Sequence, residues 1–292
     1  MLEELRPGAF AVAYRMLGSV SEAEDIVQEG LLRLHIRLGE GERIESPRAY
    51  LSTVVTRLCI DQLRSARVRR ESYVGEWLPE PLVDDVRSDP ADHAEVADSW
   101  SLAFLVLLES LTPEQRAAFL LREVFDYPYE QIAAIIGTGE DNTRQLVSRA
   151  RKNVDAGRPR FEASQERREQ LASSFLAALH DGDLQALEEL LAHDVVVHAD
   201  GGGRVRAITR PVYGRARVAR LLLRVMRAAE PFGGWSLHQV QVNGQPGAMR
   251  SDAAGKLRAV LVLDIAADGH IQAVRAIVNP DKLRHLDQEA TG

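Results

Sequence analysis

The spacing of apolar residues changes character along the chain, and this change limits the fold more than any other feature. Up to about residue 155 the apolar residues recur at intervals of three and four, which is typical of α-helices. After about residue 194 they alternate with polar residues in runs such as DVVVHAD and KLRAVLVLDIA, which is typical of β-strands. A fold of one class is therefore excluded, and 292 residues are enough for about two domains.

Breaks in this pattern give the expected domain boundaries. We expect a helical module over 1–72, a linker over 73–98 with three prolines and many acids, and a second helical module over 99–157. A third domain over 163–292 starts with a helix and continues with four strands, with turns at DGGG, NGQPG and ADG. The predicted fold class is thus multidomain, with two all-α modules followed by an α+β domain.

Capping residues place the helices of the first module. The first helix is predicted over 8–17 and ends at Gly18. Ser21 and Glu24 predict a capping box for the second helix. Ser46 and Pro47 predict an N-cap and a first-turn proline for the third.

The third helix is basic, although the formal net charge of the chain is −7. Residues 48–71 hold six arginines and two acids. On a helical wheel one face is apolar (Leu51, Val54, Val55 and Leu58), and the other carries Arg57, Arg64 and Arg67, with Arg69 and Arg70 at the helix end. Two interpretations stay open from the pattern alone: cations presented to phosphate, or a solvated face paired with acids of the second helix.

The second module predicts a helix-turn-helix. Thr112 and Pro113 begin a helix that runs to about Val124, and residues 128–137 form a short helix closed by Gly137. The next helix would enter the major groove with the residues near its N-terminus at base edges, and it carries Arg144, Gln145, Ser148, Arg149, Arg151 and Lys152. Short helix pairs in enzymes can have the same shape, so this pattern needs support from the rest of the chain.

Together these segments resemble the bacterial sigma factors of the extracytoplasmic-function type. AEDIVQEGLLRLH at 23–35 is similar to the part of region 2 that binds the clamp helices of the RNA polymerase β′ subunit. PRAYLSTVVTRLCIDQLRSARVRR at 47–70 is similar to the part that melts and reads the −10 promoter element, and residues 111–152 are similar to region 4, which reads the −35 element. The resemblance covers roughly half of the chain and joins several motifs in the family's order.

The resemblance implies a role for each set of residues. Contacts with core polymerase, which the family binds through the β′ clamp helices and the β flap, are expected from Glu24, Asp25, Gln28 and Glu29. Contacts with promoter DNA are expected from Arg57, Arg64, Arg67, Arg69 and Arg70 at −10, and from Asn142, Arg144, Gln145, Ser148, Arg149 and Lys152 at −35. The chain departs from the family at Arg57, where asparagine is common, at Gly139 in place of the N-cap serine, and at Thr143 in place of an apolar residue.

Three further motifs resemble the signatures of one subgroup, group 41 or the SigJ-like sigma factors. These are WLPEP at 77–81, DGGGR at 200–204 and NPDKL at 279–283. The subgroup carries a C-terminal extension similar to SnoaL and other NTF2-like proteins, a cone of one curved sheet packed by helices. The resemblance implies a regulatory contact between domains made by Trp77, Leu78, Asp200, Gly201, Gly202, Gly203, Arg204, Asn279, Pro280, Asp281, Lys282 and Leu283.

Catalysis in the third domain is the main alternative that the residues leave open. Acid or base work could fall to His198, Asp200, His238 or Asp264, of which the first two share one face of a strand. We expect no catalytic residue, metal or cofactor, and whether this domain binds a small ligand is open. Two other functions stay open: a ligand-sensing helix-turn-helix regulator that acts without polymerase, and an NTF2-like enzyme with accessory helices.

Composition bears on where the protein works. The N-terminal residues lack the pattern of a signal peptide, and the longest apolar run, LAFLVLL, is too short to span a membrane. Cys59 is the single cysteine, so an internal disulfide is excluded. We therefore expect a cytoplasmic protein without a membrane partner.

Overall fold

The computed structural model of the chain describes residues 2–83, 101–157, 164–228 and 233–289, and within them not the side chains of 66–71 and 288–289. The chain divides into two compact units, one of residues 1–72 with 104–158 and the other of residues 73–103 with 159–292. The expected class is confirmed, because the first unit is helical and the second contains a mixed sheet with helices.

The first unit consists of helices from both predicted helical modules. Its N-terminal helices are α1 (Leu2–Leu17), α2 (Val20–Gly39) and α3 (Pro47–Glu71). The short helix α4 (Leu102–Leu108) leads into α5 (Pro113–Glu123), α6 (Tyr129–Ile136) and α7 (Glu140–Gly157). Helices α1, α2 and α3 bury their apolar stripes, and the fully buried side chains include Tyr14, Leu17, Leu34 and Leu51.

Two predicted helix starts are wrong. Helix α1 begins at Leu2, six residues before the expected position, and continues through Pro7. The N-cap of α2 is Ser19, whose hydroxyl accepts a hydrogen bond from the backbone of Glu22, so the predicted Ser21–Glu24 box does not form. Gly18 ends α1 at a φ of 66° and the backbone becomes extended at Ser19, which places the cap two residues earlier than expected.

The second unit is built on a sheet whose described strands have the order β2-β1-β6-β5-β4-β3. They are β1 (Leu191–Asp200), β2 (Val212–Tyr213), β3 (Trp235–Val242), β4 (Gln245–Asp252), β5 (Leu257–Ile265) and β6 (Ile271–Ile277). Strand β1 is parallel to β6, and the other neighbouring pairs are antiparallel. This parallel pairing brings the ends of β1 and β6 together, with Asp200 opposite Ile277.

Helices cover one face of this sheet. They are α8 (Gln165–Asp181), α9 (Leu184–Leu190) and α10 (Arg215–Arg227), while a short 3-10 helix (Pro280–Lys282) and α11 (Arg284–Glu289) follow the last strand. The core between helices and sheet is apolar and includes Phe175, Leu187, Val197, Leu222 and Val274.

Strands β2 and β4 and helix α10 were not predicted from the sequence. The turn expected over NGQPG is only Asn243 and Gly244, which have φ values of 52° and 68°, and Gln245–Asp252 continues as a strand. Gly247 lies within β4. A side chain is excluded at this position, because a Cβ there would meet the carbonyl oxygen of Leu261 at 2.3 Å. Glycine therefore marks a close approach between two strands here, and not a turn.

Candidate functional site

The C-terminal domain holds the segment 73–83, the first part of the expected linker. Residues 84–98 of that linker lie outside the described residues. At the end of β1, the fully buried Asp200 carboxylate accepts four hydrogen bonds. One oxygen accepts from the Tyr73 hydroxyl at 2.6 Å and the Gly202 amide at 3.0 Å, and the other from the Leu78 amide at 2.8 Å and the Lys282 ammonium group at 2.7 Å. Every favourable acceptor position of this carboxylate is occupied, which is the condition for a stable buried charge.

Lys282 supplies the opposite charge from the 3-10 helix after β6. Its ammonium group also donates to the Leu78 carbonyl oxygen, so the same residue of the segment binds both members of the ion pair. The ammonium group lies 4.1 Å from the ring centroid of Trp77 and 5.3 Å from that of Tyr73. These cation–π contacts shield the charge from water and add to the ion pair.

Tyr73 connects the start of the segment to the rest of the cluster. Burial, together with the hydrogen bond to Asp200, raises the pKa of Tyr73 above its ordinary value. The side-chain amide of Asn279 donates to the Tyr73 hydroxyl oxygen at 3.0 Å. The hydroxyl therefore joins the end of β1 to the chain that follows β6.

The glycines after Asp200 make room for these contacts. Gly202 has a φ of 55°, and a Cβ there would lie 2.2 Å from the Asn279 amide nitrogen and 3.0 Å from the Tyr73 hydroxyl. Gly203 has a φ of 69°, and a Cβ there would meet Val74 at 3.1 Å. The DGGGR sequence thus forms a tight turn and also lets the segment approach closely.

Further contacts extend along the segment to its end. His198 on β1 contacts the Glu76 carboxylate at 2.9 Å, and His285 contacts the Pro81 carbonyl oxygen at 2.8 Å. Asn243 pairs with the backbone of Leu82 through two hydrogen bonds of 2.8 and 2.9 Å. An isolated antiparallel bridge joins Val83 to Val242 at the outer edge of strand β3.

The DGGGR and NPDKL motifs come together around this segment, which itself contains the WLPEP motif. Leu283 is 2% exposed and anchors the chain after the 3-10 helix, whereas Arg204 and Asp281 form an ion pair of 2.9 Å at the exposed rim. Sequence analysis missed Tyr73, Glu76, Leu82, Asn243 and His285. Tyr73 and Asn279 are 206 residues apart, and no local pattern pairs residues at such a separation.

The four candidate catalytic residues differ in their partners and exposure. Asp200 is saturated by its donors, and His198 is held by Glu76. His238 is exposed on β3, while Asp264 on β5 pairs with Arg275 at 2.8 Å. A carboxylate that already accepts four hydrogen bonds is not free to take a proton from a substrate. Within the described ranges, no group of three or more His, Cys, Asp or Glu side chains is arranged to hold a metal ion.

The helix-turn-helix forms over α5, α6 and α7. Thr112 and Gln115 make a reciprocal capping box at the start of α5, and Gly137 ends α6 at a φ of 79°. The three helices share a small apolar core that contains Leu121, Ile132 and Val147. All six residues expected to contact the −35 element are exposed along α7: Asn142, Arg144, Gln145, Ser148, Arg149 and Lys152.

The start of α7 explains one departure from the family pattern and fixes the position of Arg144. Thr143 is fully buried, and its hydroxyl donates to the Gly139 carbonyl oxygen at 3.0 Å, so the polar group is satisfied inside the helix. Arg144 pairs with Glu140 at 2.5 Å and lies 4.4 Å from the ring centroid of Tyr129. Arg144 is therefore held in place before any ligand binds.

Two arginines of the basic helix bind the helix-turn-helix module within the first unit. The Arg57 guanidinium group donates to the carbonyl oxygens of Ala134 and Ile135, both at 2.9 Å. Arg64 pairs with Glu114 at 2.7 Å, and this hydrogen-bonded carboxylate raises the pKa of Arg64. The side chains of Arg67, Arg69 and Arg70 lie outside the described part of the structure.

Helix α2 has an exposed face that combines acidic and apolar residues. Glu24, Asp25 and Gln28 are exposed, and Glu29 pairs with Arg33 at 2.7 Å. Leu32 and Ile36 are 51% and 49% exposed, one and two turns further along the helix. Sequence analysis missed these two residues, whose signal is an apolar pair on the polar side of an amphipathic helix.

The comparisons with known proteins cover almost the whole chain. Residues 1–69 match the Sigma-70 region 2 family, residues 101–154 match Sigma-70, region 4, and residues 172–278 match the SnoaL-like domain. The chain is 38% identical to the ECF RNA polymerase sigma factor SigJ of Mycobacterium tuberculosis, over 96% of this chain and 91% of that protein. It is 34% identical to the probable ECF RNA polymerase sigma factor SigI of the same species, over 96% and 93%.

A solved structure agrees with these matches. The crystal structure of Mycobacterium tuberculosis SigJ superposes with a TM-score of 0.75 at 36% identity and covers 96% of both chains. In the described residues, every helix falls short of the length and apolar character that a membrane crossing requires.

Proposed function

This chain belongs to the extracytoplasmic-function (ECF) family of RNA polymerase sigma factors, and on that premise we propose that its SnoaL-like domain tunes transcription by holding the segment 73–83. The sigma factors of this family bind core RNA polymerase and promoter DNA. The observation that carries the proposal is the buried Asp200–Lys282 pair, which binds the Leu78 amide and carbonyl groups at once.

Because of its position in the chain, the segment can transmit the effect of these contacts to the sigma modules. Helix α3 ends at Glu71, and the segment starts two residues later with Tyr73. Fixing the segment therefore restricts the chain that leaves the basic helix. By linkage, any partner that needs a different path for this segment must overcome the free energy of these contacts.

We assign the two modules the tasks that their exposed faces support. The face of α2 with Glu24, Asp25, Gln28 and Glu29 binds the β′ clamp helices, and Leu32 and Ile36 add apolar contacts there. The exposed residues of α7 read the −35 element in the major groove, while the module around them contacts the β flap. An acidic and apolar face suits a protein partner, whereas the polar and basic face of α7 suits DNA.

The basic helix must change its contacts to reach a −10 element. Arg57 and Arg64 are bonded to Ala134, Ile135 and Glu114, and a guanidinium group that is engaged in this way cannot fork onto a phosphate or base. We propose that polymerase binding breaks these contacts and selects a state in which both arginines are free. The described conformation is then the resting form of the sigma modules.

Transcription in vitro with purified core polymerase tests the proposal. We would compare the full chain with Asp200→Asn, with a truncation after residue 165 and with a truncation before Asn279, on a promoter selected by this factor. We expect all forms to bind core polymerase and the three altered forms to give transcription levels different from that of the full chain. Equal transcription from all four forms would show that the SnoaL-like domain does not regulate the factor.

A further inference from the structure

The C-terminal domain contains a basic region that the proposed function does not use. Residues 201–229 include eight arginines and no aspartate or glutamate. The rest of the chain contains 28 basic and 43 acidic residues. This acidic protein thus has a second strongly basic stretch, of 29 residues, in its C-terminal domain.

Half of these arginines lie on one face of helix α10. Arg217, Arg220, Arg224 and Arg227, which we call the arginine stripe, are exposed and recur at intervals of three and four. The opposite face is buried in the core of the domain, with Val218, Leu222 and Met226. From Arg217 to Arg227 the helix advances by ten residue steps, which corresponds to about 15 Å along its axis.

The charges of the arginine stripe repel one another along the helix. Neighbours at i+3 and i+4 carry like charges, which destabilises a helix by a few tenths of a kcal/mol per pair. Arg217 lies in the first turn, where the helix dipole favours acids, whereas Arg224 and Arg227 lie in the last turn, where it favours cations. Among the described residues, we find no acidic partner for the stripe, and Arg220 bonds the Ala216 carbonyl oxygen of its own helix. A face of four like charges without an acidic partner among the described residues is available to an anionic partner.

Charge and chemistry identify a phosphate polymer as that partner. A row of guanidinium groups fits the regular phosphates of a nucleic acid backbone, which each group can bind in a bidentate fork. Val225 is the large apolar residue exposed on this helix, at 45%, and one such residue is too few for insertion into a lipid interface. Promoter DNA is held near the factor by its own modules, which raises the effective concentration of duplex at the stripe.

We propose that the arginine stripe of α10 binds the phosphates of duplex DNA beside the promoter elements, without reading the base sequence. The stripe is a third DNA contact, on the SnoaL-like domain. It increases the affinity for promoter and non-promoter duplex alike, and it makes binding more sensitive to salt.

The test uses holoenzyme assembled from core polymerase and three forms of the full chain. The stripe variant is Arg217→Gln/Arg220→Gln/Arg224→Gln. The control variant, Arg167→Gln/Lys256→Gln/Arg258→Gln, removes the same charge from exposed positions elsewhere in the domain. Affinity for promoter duplex and for a scrambled duplex is measured over a range of salt concentrations, and affinity for core polymerase is measured separately.

We expect the stripe variant to lose about tenfold in affinity for both duplexes near 0.1 M salt, and to lower the slope of log affinity against log salt by about 3. The control variant should match the unmodified chain, and Arg217→Lys/Arg220→Lys/Arg224→Lys should recover the slope.

Two outcomes would overturn the proposal. Unchanged affinity and slope in the stripe variant would make the stripe a solvated face. A loss of core polymerase affinity with an unchanged DNA slope would make it a protein contact. Because core binding and promoter preference are read in the same series, a failure of the stripe is distinguishable from a failure of the sigma activity itself.

Discussion

The Asp200 carboxylate and the Lys282 ammonium group lie 2.7 Å apart, and their side chains are 0% and 8% exposed. Both groups also bind Leu78, so the ion pair and the segment 73–83 stabilise each other. An ion pair at this burial is stable only while its hydrogen bonds are complete, because either charge alone is costly in such a place.

The first prediction follows from this dependence. Asp200→Asn removes the negative charge and leaves the buried ammonium group without its counter-ion, which should cost about 3 kcal/mol of unfolding free energy. We expect faster hydrogen exchange over residues 73–83, measured by mass spectrometry on the full chain. Arg204→Ala is the matched control, since it breaks an ion pair that is 66% exposed on the arginine side and should cost less than about 1 kcal/mol. Equal protection of the segment in Asp200→Asn and the unmodified chain would contradict the assigned role.

The second prediction separates steric fit from backbone strain at the glycine turn. Gly202→Ala places a Cβ against Asn279, whereas Gly269→Ala has a φ of 79° but nothing within 4 Å. Both changes cost about 1 kcal/mol for the left-handed backbone. Gly202→Ala should cost about 1–3 kcal/mol more because the site is already filled. Thermal unfolding of the two variants measures this difference, and equal midpoints would rule out the close contact.

The third prediction concerns alkaline pH. Burial and the hydrogen bond to Asp200 raise the pKa of Tyr73 in the folded state, compared with about 10 for a free tyrosine. The neutral phenol therefore contributes stability below pH about 10, and this contribution is lost as the pH rises through the higher folded value. A titration of tyrosinate absorbance should show Tyr73 ionising after the exposed tyrosines, as the difference between the unmodified chain and Tyr73→Phe. A difference that appears at the ordinary tyrosine pKa would mean that the hydroxyl is not buried against Asp200.

The fourth prediction distinguishes the arginines of helix α7. Arg149→Ala should cost about 1–3 kcal/mol in discrimination of the −35 element if its guanidinium group binds a guanine. Arg151 pairs with Glu123 at 2.6 Å, so Arg151→Ala is a control on the same helix. Glu140→Gln frees Arg144 and removes a charge that repels phosphate, so it should strengthen binding. Binding assays with holoenzyme and −35 variants measure these effects, and equal losses in Arg149→Ala and Arg151→Ala would reject the assignment.

The fifth prediction tests the acidic face of α2. Glu24→Lys/Asp25→Lys/Glu29→Lys should weaken binding to core polymerase at least about tenfold, because it loses steering and contact energy together. The control Glu3→Lys/Asp61→Lys/Glu130→Lys makes the same charge change at exposed positions on other helices. Affinity for core polymerase is measured directly, without DNA. If both variants bind core polymerase equally well, α2 is not the docking face.

Local signals predicted those elements that depend on local physics. The helix start at Thr112 and Pro113, the helix end at Gly137 and the polar face of α7 are all set within one or two helical turns, and the structure contains them as expected. The N-cap of α2 was predicted at the wrong residue because Ser19 and Ser21 are both good N-caps. The end of α1 at Gly18 selects Ser19. Strand β4 was not predicted because Pro246 and Gly247 are typical of turns. In the structure, the packing against β5 requires that glycine.

The candidate site depends on contacts between residues that are far apart in sequence. The resemblance supplied Asp200, Lys282 and Leu78, but pattern analysis did not supply Tyr73, Asn243 or His285. Each of these residues contacts a part of the chain far away in sequence, so its neighbours in sequence carry no trace of the contact. The contacts of Arg57 and Arg64 with the second module were missed for the same reason.

The separation of 206 residues between Tyr73 and Asn279 also sets the order of events during synthesis. A ribosome adds about 5–20 residues per second, so the partners of the segment follow it by about 10–40 s. Once residue 157 has been added, the nascent chain contains both modules of the sigma factor, whereas Asn279 and Lys282 do not yet exist. The restraint that we propose for the C-terminal domain therefore begins only after Asn279 and Lys282 have been added, and a chain that stops before them would lack it.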